Sequence, residues 1–109
     1  MSNFEKLKTF EPLASCLTIK NSNIHGLGLF ATNEIPSHTE LGISHVKDDR
    51  FSHGYIRTPL GGFFNHSKNP NCEAVYDGDF IKIITLKNIN LGDEITVDYT
   101  KHNWIKIDE

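Results

Sequence analysis

The clearest alternation of apolar and polar positions lies in the second half of the chain. "CEAVYDGDFIKIIT", residues 72–85, is two β-prone runs around Asp77-Gly78, a strong signal for a type I′ hairpin. "NINLGDEITVDYT", residues 88–100, turns near Gly92 and predicts a strand from Glu94 to Tyr99. In that strand Ile95, Val97 and Tyr99 share one face, and Glu94, Thr96 and Asp98 share the other. Glu94 and Asp98 read as a solvated strand face, the alternative being a surface that meets a basic substrate. Upstream, Leu13 to Lys20 reads as a strand, and "NSNIHGLGLFATNEIPSHTEL" mixes turn residues with short apolar runs that predict strands near 24–32 and 39–46. Between 48 and 64 there is no periodicity, and Gly54, Pro59, Gly61 and Gly62 predict loop and short turns. Phe4, Leu7 and Phe10 fall at helical spacing, so residues 1–12 read as an arm or short helix before a domain over 13–104 and a tail over 105–109. The whole is mainly β, built of short strands with little helix.

Composition narrows the partners. A chain of 109 residues suits one domain with a modest core. The net charge of −3, with no basic stripe, gives no reason to expect nucleic acid and suits a weak attraction to basic peptides. No apolar run is long enough to span a bilayer and no signal-peptide pattern opens the chain, which predicts a soluble, intracellular, cytoplasmic protein with no membrane partner. Cys16 and Cys72 are too few for a disulfide scaffold and read as reduced and partly buried. No Cys-x-x-Cys pair exists and the six histidines are scattered, so no metal is expected.

Three segments carry candidate chemistry, and each has an ordinary reading when taken alone. His25-Gly26-Leu27-Gly28-Leu29-Phe30 offers a Gly-x-Gly that lets a ligand approach the main chain, yet also describes a plain β-turn. It lacks the third glycine and following helix of a dinucleotide site. Asn65-His66-Ser67, ahead of Pro70-Asn71-Cys72, is also an Asx-type turn closing a loop. Gly92-Asp93-Glu94-Ile95-Thr96-Val97-Asp98-Tyr99 is also a turn and strand ending on a packed tyrosine.

Taken in order, Gly-x-Gly-x-Phe, Asn-His-Ser-x-x-Pro-Asn-Cys and Gly-Asp-Glu-Ile-Thr-x-x-Tyr resemble the SET-domain protein lysine methyltransferases over about residues 13–104. "FFNHSKNPN" and the small size look most like the minimal viral and bacterial SET proteins; for a viral protein the compartment would be the host-cell cytoplasm. The resemblance implies a β-clip-like fold of short curved sheets, with the C-terminal segment threaded under a loop as a pseudoknot. It implies S-adenosyl-L-methionine as cofactor, S-adenosyl-L-homocysteine as product, and a lysine of a protein or peptide as acceptor. By similarity Gly26, Leu27 and Gly28 offer main-chain contacts to the methionine portion, Asn65 bonds the same portion, the His66 backbone holds the adenine edge, and Tyr99 is the catalytic residue where cofactor and substrate meet. Trp104 caps the adenine or lines the channel, or else packs the tail onto the core. Tyr55 lines the substrate side or packs a turn, and Phe63 with Phe64 is core on one side and channel wall on the other.

The pattern also departs from the family. Gly62 stands where many members carry arginine, Gly42-Ile43-Ser44 replaces an aromatic-x-Gly, and the cysteine-rich tail motif is missing. Val97, on the channel side, replaces the aromatic that helps set how many methyl groups are added. The segment over 47–60, which shapes substrate choice in the family, is short. Two other functions fit the same letters: a non-catalytic peptide-binding module on this fold, and a methyltransferase acting on a small amine or free amino acid. A homodimer through an exposed strand edge is a further expectation. The enzyme reading requires the Tyr99 phenol to stand within ~12 Å of the Asn65 side-chain amide, a few residue widths.

Overall fold

A computed structural model of the chain describes residues 13–50 and 54–101. The predicted arm over 1–12, Trp104 and the tail over 105–109 lie outside the described residues. Eight short strands follow in order: β1 (Leu17–Asn21), β2 (Leu27–Ala31), β3 (Glu40–Lys47), β4 (Tyr55–Arg57), β5 (Asn65–His66), β6 (Cys72–Asp77), β7 (Phe80–Thr85) and β8 (Thr96–Val97). One helical turn, α1 (Pro59–Phe63), precedes β5, and a 3₁₀ turn at Tyr99–Lys101 follows β8. β1 and β2 pair as an antiparallel ribbon, and the other six form one sheet in the order β4-β3-β7-β6-β8-β5. The mainly β class with little helix, expected from the alternation, is the observed one. Among the described residues no helix is long and apolar enough to cross a membrane.

The hairpin forms in the expected place, but its turn differs. Asp77 pairs with Phe80, so Gly78 and Asp79 are the central residues. Of these two only Gly78 has a positive φ, at 62°, which is the II′ rather than the I′ pattern.

The stretch over 48–64 is more ordered than its composition suggests. β4 pairs with β3 at its edge, with Val46 opposite Ile56. Thr58 then caps α1, its hydroxyl 3.3 Å from the Gly61 amide while donating to the Ile43 carbonyl at 2.6 Å, and Pro59 opens the turn where its missing N–H costs nothing. Gly61 lies so close to β3 that a Cβ there would overlap the Ser44 carbonyl. Tertiary packing thus builds elements too short to leave a period in the sequence.

The core runs between ribbon and sheet. Leu29, Ile35, Leu60, Phe64, Cys72, Ile83, Ile89, Ile95 and Val97 are each at most 4% exposed. The last strand is shorter than predicted, and its polar side is not solvated: Thr96 and Asp98 are buried along with Ile95 and Val97. β8 has a parallel neighbour on each side, Asn65 and His66 of β5 on one and Cys72 of β6 on the other. A strand in the middle of a covered sheet has no free face, so polar positions there must find internal partners.

Cys16 and Cys72 are not joined in a disulfide, the first half-buried and the second buried. Burial pushes the Cys72 thiol up to about 12. A raised thiol pKa means the unfolded chain gives up its proton first, so stability is lost as pH climbs above the ordinary thiol range of ~8.5 and goes on falling toward about 12. Denaturation curves from pH 8 to 11 are expected to show this decline, and Cys72→Ala is expected to remove that share of it. At pH 8 the folded chain should bind thiol reagent at Cys16 alone.

Candidate active site

A cleft of about 710 Å³ opens between the turn before β2 and the α1–β5 segment. Its walls are Ile24, His25, Gly26 and Leu27 from the first motif; Arg57 and Gly62; Phe63, Phe64, Asn65 and His66 from the second; and Tyr99 from the third. Three segments far apart in sequence therefore line one cavity.

The first wall is a turn held by Ser22. The Ser22 amide donates to the Gly26 carbonyl at 2.8 Å, and its hydroxyl accepts from the Ile24 amide at 2.9 Å. Gly26 has no atom beyond its chain neighbours within 4 Å of its Cβ position, which leaves that side open to the cleft. Gly28 is buried and outside the lining; a Cβ there would overlap the Glu94 carboxylate.

Asn65 sits on β5 and is 8% exposed. Its Nδ2 points at four acceptors: Ser22 Oγ, His25 O and Leu27 O at 3.2 Å each, and Glu94 Oε2 at 2.7 Å. The Ser22 hydroxyl stands 2.8 Å from both Glu94 oxygens and donates its one proton across them. This end of the cleft is rich in acceptors and carries the half-buried Glu94 carboxylate behind Asn65. Such a surface favours a cationic group.

The other end is aromatic. The Tyr99 hydroxyl donates to the Phe64 carbonyl at 2.8 Å, so the phenol lies one peptide unit from Asn65. The Tyr99 ring stands edge-on to Phe64 (centroids 6.0 Å apart) and tilted over His66 (5.2 Å). The Tyr99 amide donates to His66 Nδ1 at 3.0 Å. An accepting Nδ1 leaves the proton of the neutral ring on Nε2. Asp98 Oδ1, 3.9 Å from the same nitrogen, is occupied by the Thr100 amide and hydroxyl at 2.9 and 2.6 Å.

The loop over 67–71 staples the last segment in place. Asn71 Nδ2 donates to the Glu94 carbonyl at 2.7 Å, Asn71 Oδ1 accepts from the Thr96 amide at 2.9 Å, and the Ser67 amide donates to Val97 O at 3.2 Å. Because β5 and β6 flank β8 and run parallel to it, the chain between them must pass from one side of β8 to the other.

Of the residues singled out from sequence, Gly26, Leu27, Phe63, Asn65, His66 and Tyr99 line the cleft together. Gly28 and Val97 do not; Val97 is fully buried in the core. Tyr55 is not among the lining residues either: its ring meets buried His45 edge-on, centroids 6.2 Å apart. Trp104 lies outside the described residues. Arg57 and Ser22 were missed, while Asn71 and Glu94 stand inside the second and third motifs, Asn71 with no role assigned and Glu94 read as a solvated face or one meeting a basic substrate, not as a partner of Asn65. Among the described residues no group of three or more histidines, cysteines or acids gathers as a metal site.

Residues 43–100 match the SET domain family. The chain is 27% identical over 117 aligned positions to a histone-lysine N-methyltransferase of Schizosaccharomyces pombe specific for H3 lysine-37, covering 86% of this chain and 80% of that protein. A SET and MYND domain-containing protein of Dictyostelium discoideum is 41% identical over 46 positions, 42% of this chain and 11% of that protein. Among solved structures, a candidate histone methyltransferase of Plasmodium falciparum superposes with a TM-score of 0.64 at 21% identity, over 79% of this chain and 94% of that one. A humanized mutant of Chaetomium thermophilum Polycomb Repressive Complex 2, bound to an inhibitor, gives 0.65 at 20% identity, over 79% of this chain and 15% of that one. At these identities the structural likeness concerns the fold.

Asn71→Ala is expected to cost about 2–3 kcal/mol, since it strands a main-chain amide and a carbonyl around β8. Urea denaturation of the two chains side by side checks it. A loss within experimental error would mean the loop does not staple the segment.

Proposed function

The chain belongs to the SET-domain family, and from that premise we propose that it is an S-adenosylmethionine-dependent protein-lysine N-methyltransferase. The observation that carries this reading is the convergence on one cleft of Gly26 and Leu27, Asn65 and His66, and Tyr99, with the Tyr99 hydroxyl bonded to the residue just before Asn65. The straddling of β8 by residues 67–71 is read as the pseudoknot that brings the last two segments together.

The residues fit the cofactor. Asn65 is nearly buried, and among the described residues nothing donates to its Oδ1, an orphaned acceptor that a ligand donor would satisfy. The main chain at Gly26 and Leu27 borders the cleft with no side chain in the way at Gly26. When bound, S-adenosylmethionine would supply an electrophilic methyl group on a positively charged sulfur. Asn65 and the Gly26–Leu27 backbone would hold its amino-acid end, and His66 would lie toward its adenosine portion.

The protein's remaining task is to present an uncharged amine in line. From an ordinary value of ~10.4, deprotonating lysine near pH 7.4 costs about 4 kcal/mol. Phe63 and Phe64 remove water from the approach, and desolvation disfavours the ammonium form. The Tyr99 proton is committed to the Phe64 carbonyl, so the phenol oxygen keeps lone pairs to accept an amine N–H. An amine held through that proton turns its own lone pair away from Tyr99. Catalysis by alignment of this kind needs no covalent intermediate.

The acceptor is read as a lysine side chain of a protein, in line with the activity named for the fission-yeast relative. Its identity is tested by incubating the chain and labelled S-adenosylmethionine with a cell lysate. Label in macromolecules, located on a lysine by mass spectrometry, is the expected result; label in small molecules would move the substrate to a free amine. S-adenosylhomocysteine at a hundred times its dissociation constant should add about 2.7 kcal/mol to the folded state. No thermal shift at millimolar ligand would favour a peptide-binding module instead.

Tyr99→Phe removes the hydroxyl and is expected to lower single-turnover rate by roughly 10²-fold or more while changing S-adenosylhomocysteine affinity by less than about threefold. Equal loss of both would show that Tyr99 only packs the cleft.

A further inference from the structure

Glu94 is not a solvated strand residue. Its carboxylate fills the space that the missing Cβ of Gly28 leaves in β2, and from there it touches Ser22 and Asn65. The two contacts act on Asn65 in the same sense. Glu94 Oε2 accepts from Asn65 Nδ2 at 2.7 Å, the shortest of that nitrogen's bonds and the only one to a charged group. The same carboxylate accepts the hydrogen bond of the Ser22 hydroxyl, 2.8 Å from both oxygens. Ser22 Oγ, 3.2 Å from Asn65, is thereby left with only lone pairs to offer it. With the serine proton freed, a flipped Asn65 would find a donor for its oxygen inside the protein. With Glu94 present it finds none among the described residues, and two carbonyls and a carboxylate repel the oxygen from that side.

We propose that Glu94 is a positioning residue that fixes the polarity of the Asn65 amide, nitrogen toward the protein and oxygen toward the cleft, where the oxygen accepts from the α-ammonium group at the amino-acid end of the cofactor. This rests on the S-adenosylmethionine reading above. It makes Glu94 act on one group of the ligand, through one amide, and not on the ligand as a whole. The half-buried carboxylate lies behind the amide, on the side away from the ligand, and its charge also favours a cation in front of the amide.

The test uses calorimetric titration with S-adenosylhomocysteine and with its analogue lacking the α-amino group. Glu94→Gln is expected to weaken S-adenosylhomocysteine about tenfold, the scale of one charge-assisted hydrogen bond, and the desamino analogue less than about twofold. Equal weakening of both ligands would mean that Glu94 only supports the fold of the cleft, and no weakening of either would mean that it does not orient Asn65; each result overturns the inference alone. A wild-type chain that binds neither ligand overturns the cofactor reading and this inference with it. Should Glu94→Gln fail to fold, Glu94→Asp, which keeps the charge and draws it back by one methylene, is read against the same two ligands with the same selective loss expected.

Discussion

The structure depends on one insertion: β8 lies between β5 and β6, parallel to both. Parallel neighbours normally need a crossover of a dozen residues or more. Here the connection is residues 67–71. His66 and Cys72 both stand beside Val97, so the loop starts and ends at the same level of β8 and must step across two strand spacings, roughly 10 Å. A run of five extended residues reaches roughly 17 Å, enough for that step and a detour around β8.

An insertion of this kind buries polar backbone on both sides of a very short strand, and the side chains of the crossing loop supply what the ladder does not. Asn71 is the clearest case, since a single amide serves the carbonyl at 94 and the amide at 96. The same insertion carries Glu94 to Ser22 and Asn65, partners 72 and 29 residues away. None of these contacts is local, so the cleft can exist only after the last segment has docked. A buried network of this kind is worth most when every member is satisfied and is costly when one is lost. This couples the integrity of the cleft to that of the fold.

What the sequence revealed and what it hid follow from the same geometry. The β6–β7 hairpin was legible because its partners are adjacent and its turn residues are specific. The three motifs could be placed in one cleft because their resemblance to a family carried long-range information that periodicity lacks. β4 and α1 left no trace, being shorter than any period that could announce them. Thr96, Asp98 and Glu94 alternate with apolar neighbours like any half-exposed strand, and alternation cannot report that a second layer and two flanking strands cover the polar side. Tyr55 shows a related limit: an aromatic before a motif fits a site wall or a packing role equally in sequence, and β4 turns it toward His45. Gly28 looked like a ligand contact, while its missing side chain is explained by a carboxylate arriving from the far end of the chain.

The cleft combines two environments that act oppositely on positive charge, and the proposed methyl transfer from a sulfonium would use both. At one end the carbonyls of His25 and Leu27, with Glu94 behind Asn65, form a wall of acceptors that stabilises a cation. At the other, Phe63, Phe64 and the Tyr99 ring exclude water without offering a counter-charge, so an amine entering there is favoured in its neutral form. Were the carboxylate on the aromatic side, it would hold the incoming amine protonated and remove the lone pair that attacks. β5 keeps the two apart, because Asn65 faces the acceptor wall while the carbonyl of its neighbour Phe64 faces the Tyr99 hydroxyl. One peptide unit thus separates the place where charge is held from the place where it must be shed.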